Sequence, residues 1–243
     1  MPRPFELLDS VETPEGLLEL RRRGDKDFMI LVGGRVLMTS TITTSELALA
    51  ENGCGAIAAD SSRPRVLIGG LGLGFTLRAA LDALPRGACV HVAELNEKVI
   101  AWCQGPAAAI TKNAANDPRV HFIVGDVTEE ISRVADDETI PRYDAILWDL
   151  YIGPQRKGGK EDPLYGDESV MNTWAALREG GVFGVWGETP STSFEERLKK
   201  FAFAPELIRT GGSGLKHAVY LATKRKPKAK RAKKTKYRGR RPS

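Results

Sequence analysis

Short apolar runs alternate with segments of helical spacing from residue 65 to residue 203. The runs are rich in Val, Ile and Leu, whereas in the other segments apolar residues recur every three or four positions. This alternation predicts a parallel sheet with helices on both of its faces. The predicted strands are 65–69, 89–94, 120–125, 143–149 and 181–187, and the predicted helices are 75–84, 96–109, 127–135, 167–179 and 193–203.

The pattern differs on either side of this region. Residues 1 to about 40 are short extended segments separated by Gly24-Asp25 and Gly33-Gly34, which predicts a β-meander. Helical spacing then begins at Thr44, with Ser or Thr placed to cap the helix. Two segments joined by Gly211-Gly212-Ser213-Gly214 predict a closing hairpin that adds an antiparallel edge to the sheet. We therefore divide the chain into a β-meander over 1–45, a main α/β domain over 46–223 and a tail over 224–243.

Charge is distributed unevenly along the chain. The formal net charge is +5, yet residues 224–243 hold 12 Lys and Arg and no acid, which leaves 24 basic and 31 acidic residues elsewhere. The tail has almost no apolar residues to bury, so we expect it to be disordered. It is either a solubilising tail or a weak, salt-sensitive contact for nucleic acid or another polyanion.

Composition excludes several classes of protein. No apolar run approaches the roughly 18 residues that span a bilayer, and residues 1–6 lack the apolar core of a secretory signal. We therefore expect a cytoplasmic protein with no membrane contact. Cys54, Cys89 and Cys103 are widely spaced and the three His are scattered, so reduced thiols and no metal site are expected.

A glycine-rich turn follows the first strand of the predicted sheet, in the run Val66-Leu67-Ile68-Gly69-Gly70-Leu71-Gly72-Leu73-Gly74. Glycines at such a turn let backbone N–H groups and a helix N-terminus approach a nucleotide-like ligand. The dinucleotide fingerprint would need Gly or Ala where Phe75 stands, and no Gly-Lys-Ser/Thr of a P-loop follows. The turn therefore favours an S-adenosyl compound over a dinucleotide.

Acidic residues end three of the predicted strands. Glu94 follows the second strand, where a carboxylate can accept both ribose hydroxyls of a nucleoside, and Asp126 follows the third, where it can accept from an adenine amino group. Both could instead simply cap the helices that follow. Asp149 ends the fourth strand, with Tyr151 two residues later, close to where the reacting end of the ligand is expected. The loop 153–165 is long and polar, as a lid over a substrate would be.

Together these motifs resemble the spermidine synthases, which are aminopropyltransferases. The likeness covers roughly residues 5 to 222 and rests on the glycine turn, Glu94, Gly125-Asp126 and the run 143–149. It implies a Rossmann-like class I methyltransferase fold, with a mostly parallel seven-stranded sheet preceded by a small N-terminal β-meander. It also implies that Gly70, Gly72 and Gly74 line the cofactor, that Glu94 holds the ribose and that Asp126 binds the adenine.

The resemblance further implies that Asp149 accepts the proton of the attacking amine or orients that amine, and it suggests a homodimer. We expect Tyr151 to orient the same group. The acceptor is then a small-molecule amine, and the cofactor is S-adenosylmethionine or its decarboxylated form.

The chain departs from this family at several positions. The family's glycine loop carries an Asp that binds the aminopropyl amine, and the nearest position here is Leu73. The family's polyamine-binding Gln and Tyr-His pair correspond to Met38 and Leu49-Ala50. Because burying an ammonium without a carboxylate costs several kcal/mol, these changes favour methyl transfer from S-adenosylmethionine over aminopropyl transfer.

Other functions remain open. A non-catalytic binding protein that uses the basic tail is one alternative, although it would have no need for three acids along one edge of the sheet. A nucleic-acid methyltransferase is another, but no Asn/Asp-Pro-Pro-Tyr/Phe-like motif follows the fourth strand, where Asp149-Leu150-Tyr151-Ile152 stands.

Overall fold

The computed structural model describes residues 3–57, 59, 61–154, 159–210 and 217–225. Strands β1 to β4 are Glu6–Thr13, Gly16–Arg23, Asp27–Val32 and Arg35–Thr39. Strands β5 to β11 are Arg65–Gly69, Cys89–Glu94, Val120–Val124, Tyr143–Trp148, Leu177–Gly187, Phe203–Thr210 and His217–Lys224. Helices α1 to α6 are Thr44–Gly55, Phe75–Ala83, Glu97–Gln104, Val127–Asp136, Asp167–Ala176 and Thr192–Lys200. Short 3-10 turns span Ala108–Thr111, Ala114–Asn116 and Gly159–Glu161.

The main sheet has seven strands in the order β10-β11-β9-β8-β5-β6-β7. Strands β5 to β9 are parallel to one another, and β11 is antiparallel to both of its neighbours, β9 and β10. The mostly parallel seven-stranded sheet is thus confirmed. The closing hairpin also forms. Its first strand, β10, is the edge strand of the sheet, and its second strand, β11, lies between β10 and β9.

Strand order reverses beside β5. The chain runs outward from β5 through β6 to β7 and then crosses to β8 on the other side of β5. In open α/β sheets a crevice forms at the carboxyl ends of the strands where the order reverses, and ligands bind there. The carboxyl ends of β5 and β8 are therefore where a site is expected.

The N-terminal strands β1 to β4 form the predicted antiparallel meander. Leu20, Phe28 and Ile30 are at most 2% exposed, and they belong to the same apolar cluster as residues of β5 and α2. Trp102 Nε1 of α3 also donates to Asp9 Oδ2 of β1 at 2.9 Å. The meander therefore packs on one face of the main domain and shares its core.

A second apolar cluster covers the other face of the main sheet. It combines residues of α4, α5 and α6 with Trp148, Phe183 and Tyr220 of the sheet. Aromatic rings meet edge to face within it, with Trp148 and Phe183 centroids 5.1 Å apart. Edge-to-face pairs add stability beyond the apolar area that they bury. Helices thus cover both faces of the sheet, as the alternating pattern predicts.

Several element boundaries differ from the prediction. Helix α3 ends at Gln104 instead of 109, because Gly105 forms its C-terminal cap and Pro106 cannot continue a helix. Helix α5 ends at Ala176, and β9 begins at Leu177 instead of 181, since Leu177 already pairs with Tyr143. Thr43 is the N-cap of α1, but no side chain caps this helix.

Within the described residues, no helix is long and apolar enough to cross a bilayer. Residues 226–243 of the predicted basic tail lie outside the described part of the chain. Its disorder and its contact with a polyanion therefore stay predictions.

Candidate active site

A cleft of about 650 Å³ lies at the carboxyl ends of β5 to β8, beneath the inner face of the N-terminal meander. Its floor includes residues of the glycine turn and the segments that follow β6, β7 and β8. Its roof includes Leu18, Ile30 and Val32 of the meander. Gly70, Gly72, Glu94, Asp126, Asp149 and Tyr151, all predicted from the sequence, line this one cleft.

Two glycines of the turn are required by close approaches. Gly70 has a φ of +83°, and a Cβ added there would lie 2.5 Å from the backbone oxygen of Asp149. Gly72 has a φ of +52°, and a Cβ there would lie 2.7 Å from Met38 Sδ. Both backbones occupy the left-handed region, which residues with a Cβ adopt at a cost. The turn can therefore approach the backbone of Asp149 only with glycine at position 70, and at Gly72 it is the left-handed φ that favours glycine.

The structure separates the other two turn positions from the cleft. Gly74 is the N-cap of α2, with a φ of +83°, and it is not among the residues that line the cleft. Leu73 has no exposed surface and belongs to the apolar core. An acid at position 73 would therefore point into the core, so the choice of Leu73 as the position of the missing amine-binding acid was wrong.

Glu94 joins the second strand to the glycine turn. Its Oε2 accepts from Leu71 N–H at 2.9 Å, and its Oε1 accepts from Asn96 N–H at 3.0 Å. Burial raises the pKa of the Glu94 carboxyl, while these backbone N–H groups act to lower it. Each carboxylate oxygen has a further lone pair, so Glu94 can accept from a ligand in the cleft while it anchors the turn.

Asp126 caps the helix that follows β7. Its Oδ1 accepts from both the N–H and the hydroxyl of Thr128 at 2.8 Å. Among the described residues nothing donates a hydrogen bond to Oδ2, and the residue lines the cleft. Asp126 thus caps α4, which was one of the two roles that the sequence allowed, and its Oδ2 is left for a ligand.

Asp149 lies where β8 ends, against the glycine turn. Its N–H donates to Gly69 O at 2.9 Å, and its Oδ2 accepts from Thr76 Oγ1 at 2.6 Å. Burial raises the pKa of the Asp149 carboxyl to about 7; the negative charge of Glu46 also raises it, and the hydrogen bond from Thr76 acts in the opposite direction. A carboxyl group with this pKa is well matched to accepting a proton near neutral pH.

Tyr151 lines the cleft, and so do Pro163 and Leu164 of the loop that was predicted as a lid. Tyr151 is 38% exposed. Of the loop 153–165, residues 155–158 lie outside the described part of the chain. The loop ends at Tyr165, which is buried and donates its hydroxyl to Ile152 O at 2.7 Å.

Glu46 lines the same cleft and was missed in the sequence. It lies in the first turn of α1, where an acid is typical of any helix N-terminus, so its type alone gave no signal. The described lining residues include six carboxylates and no Lys, Arg or His; these acids are Glu12, Glu15, Glu46, Glu94, Asp126 and Asp149. Such a lining attracts cationic ligands and repels anionic ones.

Two solved structures of spermidine synthase are similar to this chain. One, from Thermotoga maritima, superposes with a TM-score of 0.68 at 19% sequence identity, covering 90% of this chain and 72% of that one. The other is a spermidine synthase in complex with the transition-state analogue AdoDATO, with a TM-score of 0.67 and the same identity and coverage. The sequence matches no model of a known protein family and no curated protein. The chain therefore has a spermidine synthase-like fold, as the sequence motifs indicate.

Proposed function

We propose that this protein transfers the aminopropyl group of decarboxylated S-adenosylmethionine to a small-molecule amine. The observation that carries the proposal is Asp149, a carboxyl group with a pKa of about 7 in a cleft whose described lining has no cationic side chain. Such a group can hold an ammonium and take its proton. The similar spermidine synthase structure with AdoDATO supports the same class of reaction.

The donor would lie along the carboxyl ends of β5 to β7. Gly70 and Gly72 would approach it through their backbone, Glu94 would accept from the ribose hydroxyls, and Asp126 Oδ2 would accept from the adenine amino group. Gly74 would act indirectly, because as the N-cap it fixes where the turn ends and α2 begins. These roles follow from the position of each residue in the cleft.

Asp149 would prepare the acceptor. A protonated amine has no lone pair, so Asp149 accepts one proton from it, and the neutral amine then attacks the carbon next to the sulfonium. The new C–N bond forms as the C–S bond breaks. The electron pair of the C–S bond returns to sulfur, which leaves methylthioadenosine and a substituted ammonium. Tyr151 would orient the amine at the exposed side of the cleft. Alignment of the two reactants supplies much of the remaining acceleration.

The electrostatics of the cleft favour aminopropyl transfer over methyl transfer. S-Adenosylmethionine carries a carboxylate that its decarboxylated form lacks, and the described lining offers that carboxylate six acids and no basic side chain. The preference for methyl transfer rested on missing polar groups at Leu73, Met38 and Leu49-Ala50. Leu73, Leu49 and Ala50 lie in the core, and Met38 lines the cleft. Glu46, which the sequence did not indicate, adds a carboxyl group to the same cleft as Asp149.

Product analysis tests this proposal. The protein is incubated with either donor and a set of linear diamines, and the nucleoside products are separated by chromatography. We expect methylthioadenosine from decarboxylated S-adenosylmethionine, and its loss in Asp149→Asn but not in Asp137→Asn, which alters an exposed acid outside the cleft. S-Adenosylhomocysteine formed from S-adenosylmethionine would establish methyl transfer instead. Donor binding without either product would indicate the non-catalytic alternative.

A further inference from the structure

A chain of hydrogen bonds reaches Glu46 from the opposite end of the sequence. Ser45 Oγ donates to Glu46 Oε2 at 2.7 Å and lies 2.9 Å from His217 Nδ1, although His217 is 172 residues away on β11. Ser45 is 2% exposed, so its hydroxyl depends on these two partners. A Ser in the first turn of a helix can hydrogen-bond to the backbone. No side chain caps α1, so the Ser45 hydroxyl does not have this role.

The direction of these bonds follows from the donors available. An ionised carboxylate only accepts, and a hydroxyl has one hydrogen to give. The Ser45 hydrogen therefore points at Glu46, and Ser45 Oγ accepts from the Nδ1–H of His217. The His217 ring is held in turn by Trp186, whose ring meets it edge to face with centroids 5.2 Å apart.

A second contact relates Glu46 to Asp149. Thr76 Oγ1 donates to Asp149 Oδ2 at 2.6 Å and lies 3.5 Å from the backbone oxygen of Glu46. Both acids line the cleft, and Trp186 does so as well. Helix α1 and strands β8 and β11 thus place two carboxyl groups around one part of the cleft.

We propose that Ser45 and His217 are positioning residues that fix the Glu46 carboxylate beside Asp149, so that the two acids together hold the ammonium of the acceptor. This rests on the proposed function. Two negative groups that face one part of a cleft repel each other, and a cationic amine between them removes that repulsion. Asp149 is then free to take the proton, while Glu46 retains the amine.

A purely structural role for the chain of hydrogen bonds makes a different prediction. If Ser45 and His217 only satisfied each other, removing one would change stability and leave acceptor binding intact. If they orient Glu46, removing either side chain must raise the acceptor KM and leave donor affinity unchanged. Hydrogen bonds to charged groups contribute enough for about a tenfold change.

The experiment compares Ser45→Ala, His217→Ala and His217→Asn with the wild type. The Asn side chain places an N–H close to where Nδ1 lies, so it should restore the bond that Ala removes. We expect the acceptor KM to rise about tenfold or more in both Ala variants and to return to within about threefold of wild type in His217→Asn. Donor affinity should stay unchanged in all three. His121→Asn, an exposed histidine outside the cleft, is the matched control.

Calorimetric binding of linear diamines in the presence of methylthioadenosine gives a readout that does not need turnover. We expect the same tenfold weakening in the Ala variants, and the His217 pair suffices should Ser45→Ala not fold. Unchanged diamine affinity in the Ala variants, with the wild type binding, would overturn the inference and leave the proposed function standing. A change in donor affinity alone would also overturn it. A wild type that neither binds diamines nor turns over would instead refute the proposed function.

Discussion

Asp149 couples the proposed chemistry to the stability of the fold. Its pKa rises from 3.8 to about 7 because burial disfavours the charged form. One pKa unit corresponds to about 1.36 kcal/mol, so ionised Asp149 costs the folded protein about 4 kcal/mol relative to the unfolded chain. Between these two pKa values the folded protein holds a proton that the unfolded chain has released. Stability therefore falls as the pH rises through this window and levels off above it.

Asp149→Asn removes this titration while keeping an oxygen to accept from Thr76. The free energy of unfolding of the variant, relative to wild type, should rise by about 3 kcal/mol between about pH 5 and pH 8.5. The wild type loses about 1.36 kcal/mol for each of the roughly two pH units between pH 5 and its pKa of about 7. Turnover should fall by about a factor of 10² to 10⁴, as when a general base is removed. The variant should thus be more stable at high pH and nearly inactive.

Urea unfolding followed by circular dichroism at these two pH values measures the effect. Asp117→Asn is the control, because Arg119 lowers the pKa of Asp117 to about 2 and its variant should lose a similar amount of stability at both values. A stability difference between Asp149→Asn and wild type that stays constant, or shrinks, from the lower to the higher pH would refute the reasoning.

Three further substitutions test the glycine turn, donor binding and a buried hydrogen bond separately. Gly70→Ala places a Cβ against Asp149 O at a left-handed φ and should lower the unfolding free energy by at least about 1 kcal/mol, measured by urea titration. Glu94→Gln should weaken donor binding about tenfold by calorimetry without changing the acceptor KM. Tyr143→Phe removes the buried hydrogen bond from the Tyr143 hydroxyl to Glu130 Oε1 at the far end of β8, while the two hydrogen bonds from Arg133 to Glu130 remain, so thermal unfolding should show a loss of about 1–3 kcal/mol and turnover should be unchanged.

Much of the fold could be predicted because local signals and tertiary structure agree. β5 and β6 have their predicted bounds, since each is a mostly apolar run that ends in a glycine or an acid. β9 begins earlier than predicted because pairing with β8, which is not visible in local sequence, extends it to Leu177. The shorter α3 was foreseeable from Gly105-Pro106, which ends the helix.

The candidate site could be predicted only in part. Acids at strand ends converge because parallel strands share one carboxyl edge, so Glu94, Asp126 and Asp149 were accessible to sequence reasoning. Glu46 was not, because its approach to Asp149 depends on how α1 packs beside α2 and β8. Leu73 was misplaced for a related reason, since alternate residues of the turn face the cleft and the core.

We propose above all that the acid-lined cleft binds an S-adenosyl donor that lacks a carboxylate. Isothermal titration of the full chain with decarboxylated S-adenosylmethionine and with S-adenosylmethionine tests it directly. We expect the decarboxylated donor to bind at least about tenfold more tightly, the effect of one unfavourable charge contact of about 1.4 kcal/mol. Tighter binding of S-adenosylmethionine, or no binding of either compound, would contradict it.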